Sequence, residues 1–226
     1  MTVLTVVIPA HNEEAVIGRA ITAVTAAGGV EVIVIANGCT DATAAEAAAA
    51  SEAVRVIEIA ASSKIKALNA VPEDVTYPIA YIDADVVVTG EVLRTLAGRL
   101  QAGRASVAAP RMEVLPSRSW WVRQYYRIWA LTEYRTEGHI GSGIYMLSKA
   151  GRSRFGDFPD VIADDLFVQR LFTLDERLTP RDLSFWVESP ATLRSLLRRN
   201  TRIAAGNRQL AARYPALHVP SGTRTL

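Results

Sequence analysis

The chain has 226 residues, half of them hydrophobic, which is enough for one sizeable core and predicts a single domain. A formal net charge of +2 gives no reason to expect a nucleic-acid partner, whatever the local placement of charge. The single cysteine, Cys39, excludes an intrachain disulfide framework and a multi-cysteine metal cage, and it fits a reducing, cytoplasmic setting.

The opening residues MTVLTVVIPAHNEE lack the basic start and long apolar segment of a secretory signal, and their apolar run breaks at Pro9. They read as a first strand over 3–8. Apolar residues at helical spacing over 13–27 predict a helix that stops at Gly28-Gly29, and the apolar run 30–36 predicts the next strand. The alanine-rich segment 40–53 is a helix by propensity, 54–60 a strand, 64–72 the start of a helix and 78–83 another buried strand. Such alternation argues an α/β fold with a mostly parallel central sheet flanked by helices. Ligands on these sheets gather at the carboxyl ends of the strands, where His11 to Glu14, Asn37 to Asp41 and Asp83 to Asp85 fall.

Further along, 89–103 reads as a helix, 105–115 as one or two strands, and 119–135 as an amphipathic helix with aromatic and basic residues interleaved. The aromatic segment, with Trp120 and Trp121 at its start, fits a hydrophobic seam, an acceptor wall or contact with a lipid surface. Glycines in 138–151 suit a close-packed turn before a short strand, and 162–172 reads as a helix. In the C-terminal segment 191–215, Arg194, Arg198 and Arg202 follow one helical face. No run reaches the length of a membrane span. A division of labour near residue 100 is expected, with residues 1–100 and 101–226 as the two halves.

Asp83 and Asp85 close an apolar strand with only Ala84 between them. A divalent cation would relieve their repulsion and permit a diphosphate to bind; alternatively, one of them caps the following element. The turn ANGCTDAT at 36–43 offers backbone N–H groups and Asp41, or starts a helix with Thr40 or Asp41 as cap. Neither a P-loop nor a G-x-G-x-x-G pattern follows the first strand. Lys64 and Lys66 near a helix start suit anionic oxygens or simple solvation. Asp164 and Asp165 point about 100° apart if helical, so one can take a proton while the other orients a neighbour, or the pair caps the helix. Arg198, Arg199 and Arg202 offer guanidinium geometry for a diphosphate, besides the plainer reading of a solvated basic helix.

Six segments in order carry a resemblance: TVVIPAHNEE (5–14), EVIVIANGCTDAT (31–43), KIKALNA (64–70), IDADVVV (82–88), GSGIYMLSK (141–149) and DDLFV (164–168). Together the chain resembles glycosyltransferase family 2, inverting enzymes with a GT-A fold. The resemblance implies a nucleotide-diphosphate sugar donor across the strand ends. Pro9, Ala10, His11 and Glu13 would surround the nucleotide, Asn37 and Asp41 would meet the nucleoside, and Lys64 would lie nearby. Asp83 and Ala84 would close the donor strand, with Asp85, helped by Asp83, as ligand to Mn²⁺ or Mg²⁺. Gly141, Ser142 and Gly143 would line the acceptor side, and Asp165, beside Asp164, would match the catalytic base. The acceptor is an unidentified hydroxyl compound, small or lipid-linked, and the aromatic segment at 119–129 allows peripheral membrane contact. Two departures stand out. Ala36-Asn37-Gly38-Cys39 replaces the commoner Asp-Asp-Gly-Ser, and the processive signature Gln-x-x-Arg-Trp is missing. The second argues against a processive polysaccharide synthase. A noncatalytic nucleotide-sugar-binding or membrane-surface protein and a nucleotidyltransferase are the competing readings.

Overall fold

The computed structural model describes residues 3–131 and 138–217. In β1 (Leu4–Ala10), alternate residues Leu4, Val6, Ile8 and Ala10 enter one core and Val7 the other, so the strand is buried on both faces. β2 (Val30–Asn37) runs parallel to β1, from Leu4 opposite Val30 to Ala10 opposite Ala36. β3 (Val54–Ile59) extends the sheet beyond β2, and β4 (Ile79–Ile82) flanks β1 on its other side, both parallel.

Helices close the two faces of this sheet. α1 (Ile17–Thr25) buries Ile17, Ile21 and Val24, one turn apart. It shares a core with Ala47 of α2 (Thr43–Ala50) and with Leu93, Leu96 and Leu100 of α4 (Gly90–Ala102). α3 (Lys64–Asn69) lies on the opposite face, burying Ile65 and Leu68, and Ser63 caps it by accepting the Lys66 N–H. α2 begins after Ala42 with no side-chain cap, so neither Thr40 nor Asp41 is its N-cap. Asp41 instead takes the N–H of Thr43 from just outside the helix.

The remaining elements are β5 (Val107–Ala108), β6 (Arg111–Val114), α5 (Trp120–Trp129), β7 (Ile144–Leu147), α6 (Lys149–Arg152), α7 (Asp164–Arg170), β8 (Arg177–Leu178), β9 (Ser184–Val187) and α8 (Leu193–Arg213). The main sheet has seven strands in the order β3-β2-β1-β4-β7-β5-β8. β7 runs antiparallel to both β4 and β5. The expected strand segment 105–115 is two strands in different sheets, because β6 leaves the main sheet to pair with β9. α7 and α8 add Phe167, Val168 and Leu210 to the core beneath α3. Residues 132–135 of the helix expected over 119–135 lie outside the described residues.

Leu96 is fully buried between α4 and the sheet. Leu96→Ala is expected to lower unfolding stability by about 2–5 kcal/mol through lost transfer energy and a residual cavity, measured as a reduced urea midpoint at unchanged slope.

Candidate functional site

At the end of β4 the chain turns at once. The Asp83 N–H donates to the Gly143 carbonyl (2.8 Å), and the Asp83 carbonyl accepts the Val86 N–H (3.0 Å). Ala84, Val86 and Val88 are buried at alternate positions, which anchors the turn in the core and leaves Asp83 and Asp85 outside it. Lys64, at the start of α3, places its Nζ 2.8 Å from Asp83 Oδ1 and 3.0 Å from Asp164 Oδ1. Burial works against the Lys64 charge, but Asp83 and Asp164 outweigh it and hold the ammonium protonated well above the ordinary lysine range. Asp164 is only 3% exposed. Burial pushes its carboxyl up to about 6 in spite of Lys64, with Asp165 and Asp83 adding to the rise. The Tyr145 hydroxyl is its further donor, at 3.4 Å.

Asp85 is solvent-exposed and makes no ion pair among the described residues. The protein around it and the nearby Asp83 nonetheless push its carboxyl up, opposed by Arg199 and Lys64. Glu13 is raised too, by burial first and then by Asp85, Asp83 and Asp41. Negative charge thus exceeds the one lysine at these strand ends.

A glycine loop joins this cluster to Asp165. Gly141, Ser142 and Gly143 all have positive φ (119°, 62° and 98°), a backbone region that glycine enters without steric cost. A Cβ on Gly143 would come within 2.8 Å of Val86 Cγ2 and 3.3 Å of Asp83 Oδ2, and one on Gly141 within 2.7 Å of Asp165 Oδ2. Asp165 is held at both oxygens: Ser142 N–H donates to Oδ2 (2.9 Å) and Leu166 N–H to Oδ1 (2.7 Å). His139 Nε2 lies 2.9 Å from Ser142 Oγ, and burial lowers the pKa of this imidazole.

The ends of β1 and β2 are tied to one another. Asn37 is buried and donates from Nδ2 to the carbonyl of Ala10 (2.7 Å), while His11 Nδ1 lies 2.7 Å from the Asn37 carbonyl and so carries the proton. His11 Nε2 faces Ser62 Oγ at 3.4 Å. Pro9 stays within β1 opposite Ile35. Asn12, at φ 56°, accepts the Thr40 N–H (2.8 Å). The carboxylate of Asp41 is occupied by Thr43 and by the Glu14 N–H, and these hydrogen bonds hold its pKa low. Asp41 therefore braces two loops, an arrangement its sequence position did not signal.

Of the three arginines expected near a diphosphate, Arg199 acts on Asp85 electrostatically. It donates to Tyr126 Oη (3.1 Å), and the neighbouring Asn200 donates to Tyr125 Oη (3.1 Å). Arg198 and Arg202 are exposed and make no hydrogen bond among the described residues. Trp120 and Trp121 stack edge to face with centroids 4.6 Å apart on the outside of α5, and no contact among the described residues ties them to the carboxylates. Sequence reasoning passed over Ser62, His139 and Tyr145 as members of this site, and took Tyr126 only as part of an aromatic seam or acceptor wall rather than as the partner of Arg199. Only Asn12 carried a local signal, since asparagine after a strand end tolerates the left-handed conformation.

Among the described residues, no group of three or more His, Cys, Asp or Glu side chains could hold a metal. Asp85 and Asp83 offer carboxylate oxygen, the ligand chemistry of Mg²⁺ and Mn²⁺, and a ligand's own oxygens would have to complete the shell.

A family model described as glycosyl transferase family 2 matches residues 5–155, more than half of the chain. No curated protein matches it. Among solved structures, the fold is shared with a mannosyltransferase from Pyrobaculum calidifontis in complex with GDP-Man and Mn²⁺ (TM-score 0.68, 19% identity, 92% of this chain and 64% of that one). It is shared also with glucosyl-3-phosphoglycerate synthase from Mycobacterium tuberculosis in complex with Mn²⁺, UDP and phosphoglyceric acid (0.62, 21%, 98% and 80%). A third is residues 1–349 of S. aureus TarS in complex with UDP-GlcNAc (0.64, 15%, 87% and 61%). The chain thus spans just under two thirds of the mannosyltransferase.

Lys64→Met would leave Asp83 and the buried Asp164 without their shared cation. The expected loss is about 2–4 kcal/mol at pH 7, discounted for the partial exposure of the lysine. Because the folded pKa of Asp164 is raised to about 6, the folded state binds the extra proton below that pH. The loss should therefore shrink at pH 5, read from urea unfolding of both proteins at the two pH values.

Proposed function

Because the chain belongs to glycosyl transferase family 2, we propose that it moves a single sugar from a nucleotide-diphosphate donor to an acceptor hydroxyl, with inversion at the anomeric carbon. The observation that carries this reading is the three-residue glycine loop, whose Gly143 end abuts Asp83 while its Gly141 end abuts Asp165. A donor carboxylate at one end of a short loop and a base at the other suit an in-line displacement, where the base faces the sugar away from the leaving diphosphate.

In this reading residues 1–100 hold the donor and residues 101–226 present the acceptor. Asn37, His11 and the backbone of Pro9 and Ala10 shape the nucleoside end, with Asp41 bracing the loops. Asp85, supported by Asp83, would hold Mn²⁺ or Mg²⁺; the surrounding protein and then Asp83 push its carboxyl up, and a cation would relieve the repulsion between the two. When bound, the ion offsets charge growing on the leaving diphosphate. Arg199, held by Tyr126, would add a guanidinium to the same group. Asp165 accepts the acceptor hydroxyl proton, its carboxylate aimed by the Ser142 and Leu166 N–H groups. Asp164 is a positioning residue that ties the start of α7 to Lys64. The acceptor class is a hydroxyl compound, small or lipid-linked.

Two measurements test this. Calorimetric titration with UDP, GDP, dTDP, CDP and ADP, with and without Mn²⁺, is expected to show selective, metal-dependent binding that Asp85→Asn abolishes; absence of binding to all five would support the noncatalytic reading instead. Asp165→Asn is expected to lower kcat about 10²–10⁴-fold with donor affinity retained, and transfer at the wild-type rate under saturating substrates would remove Asp165 from the base role.

A further inference from the structure

The chain is almost neutral, yet its arginines are concentrated. Residues 115–131 and 191–217, which contain α5 and α8, hold nine arginines and no aspartate, glutamate or lysine. With a net charge of +2 for the whole chain, the remainder is net negative. The two helices pack side by side through Tyr125, Tyr126, Arg199 and Asn200, so the arginines form one basic lobe.

That lobe also exposes large apolar side chains. On α5 and the turn after it, Trp120 is 53% exposed, Trp121 64%, Ile128 69% and Leu131 86%. At 100° per residue these four fall within about one third of the helix circumference, and Arg123 and Arg127 border them on one side. α8 repeats the arrangement, with exposed Leu193 and Leu197 in one row and Arg194, Arg198 and Arg202 in the next. Two tryptophans left in water at a helix start, beside aliphatic residues and cations with no anion among them, match neither a solvated helix nor a core seam. They match the apolar and cationic faces of an interfacial helix, with indole at the headgroup level and guanidinium on lipid phosphate. No described helix is long and apolar enough to cross a membrane, so such contact would be peripheral.

We infer that the outer surface of α5 and α8 is a docking face for the surface of an anionic phospholipid bilayer. Anionic lipid is the single occupant that answers both features, because a nucleic acid would meet the arginines but leave Trp121, Ile128 and Leu131 in water. The same lobe contains Arg199, whose charge acts on Asp85, so docking would bring a lipid surface toward the proposed site. The docking face itself stands on exposure and charge alone, independent of the transferase reading.

The test uses the full chain without donor or metal, so its outcome is separable from any failure of sugar transfer. Co-sedimentation with phosphatidylcholine vesicles is compared with vesicles containing phosphatidylglycerol. Binding is expected to the anionic vesicles only, with a blue shift in tryptophan emission and weakening as salt is raised. Arg118→Gln/Arg127→Gln/Arg194→Gln is expected to weaken binding on the order of a hundredfold, from about fivefold per arginine. Trp121→Ser/Ile128→Ser should weaken it at least tenfold and reduce the blue shift. All five positions are exposed, and thermal melts of both variants check that the fold is retained. The inference is overturned if the wild type ignores anionic vesicles, if neutral vesicles bind equally, if the folded variants bind as the wild type does, or if a DNA duplex is bound while vesicles are not.

Discussion

One ammonium group answers two carboxylates from distant parts of the chain, and the arrangement of the site depends on it. Lys64 stands at the start of a helix whose Ile65 and Leu68 are buried against the sheet, so its position is set by packing rather than by its charge. From there it reaches Asp83 at the end of β4 and Asp164 at the start of α7. An anion as buried as Asp164 is costly without a partner, and the ion pair therefore fixes where α7 begins. Asp165 follows one residue later, rotated by the helix toward the glycine loop.

The glycine loop turns that placement into a shared geometry. Its backbone lies close enough to both aspartates that a side chain at Gly141 would collide with Asp165 and one at Gly143 would collide with Val86 and press on Asp83. One N–H of the loop orients Asp165, and one carbonyl holds the Asp83 N–H. Both carboxylates thus rest on the same three-residue loop. Around Asp83 the charge is uneven: Lys64 answers two carboxylates, while Asp85 and Glu13 make no ion pair among the described residues and are raised by the surrounding protein and by neighbouring carboxylates. Opposite them lies a lobe whose charged residues are all arginine. A nearly neutral chain has been sorted into an acidic sheet edge and a basic helical cover, which suits ligands that bring both cation and phosphate.

Much of the first half was legible from pattern. The strands β1 to β4 are continuous apolar runs because both faces are covered, and the helices between them show one-turn spacing or high alanine content. Legibility fell where elements are short or rely on partners. β5 and β8 have two residues each, too few to show a period, and β6 and β9 are strands only because they find one another. The antiparallel placement of β7 has no local cause; it follows from the route the chain takes back into the sheet.

The candidate site divides in the same way. Residue type and spacing marked Asp83, Asp85 and the pair Asp164 and Asp165 as local acidic features, while the family resemblance singled out Asp165 as the base and Gly141 to Gly143 as the acceptor side. The sequence also determined that Lys64 begins a helix and that arginines crowd the C-terminal segment. Tertiary structure decided which charges meet. It gave Lys64 two partners, turned Arg199 inward while Arg198 and Arg202 stayed in water, and committed Asp41 to bracing loops. It also left Trp120 and Trp121 outside while Tyr125 and Tyr126 joined α8. The physical reason is that helical and strand periods assign a side chain to a face of its own element, whereas the partner on that face is chosen by packing between segments far apart in the chain.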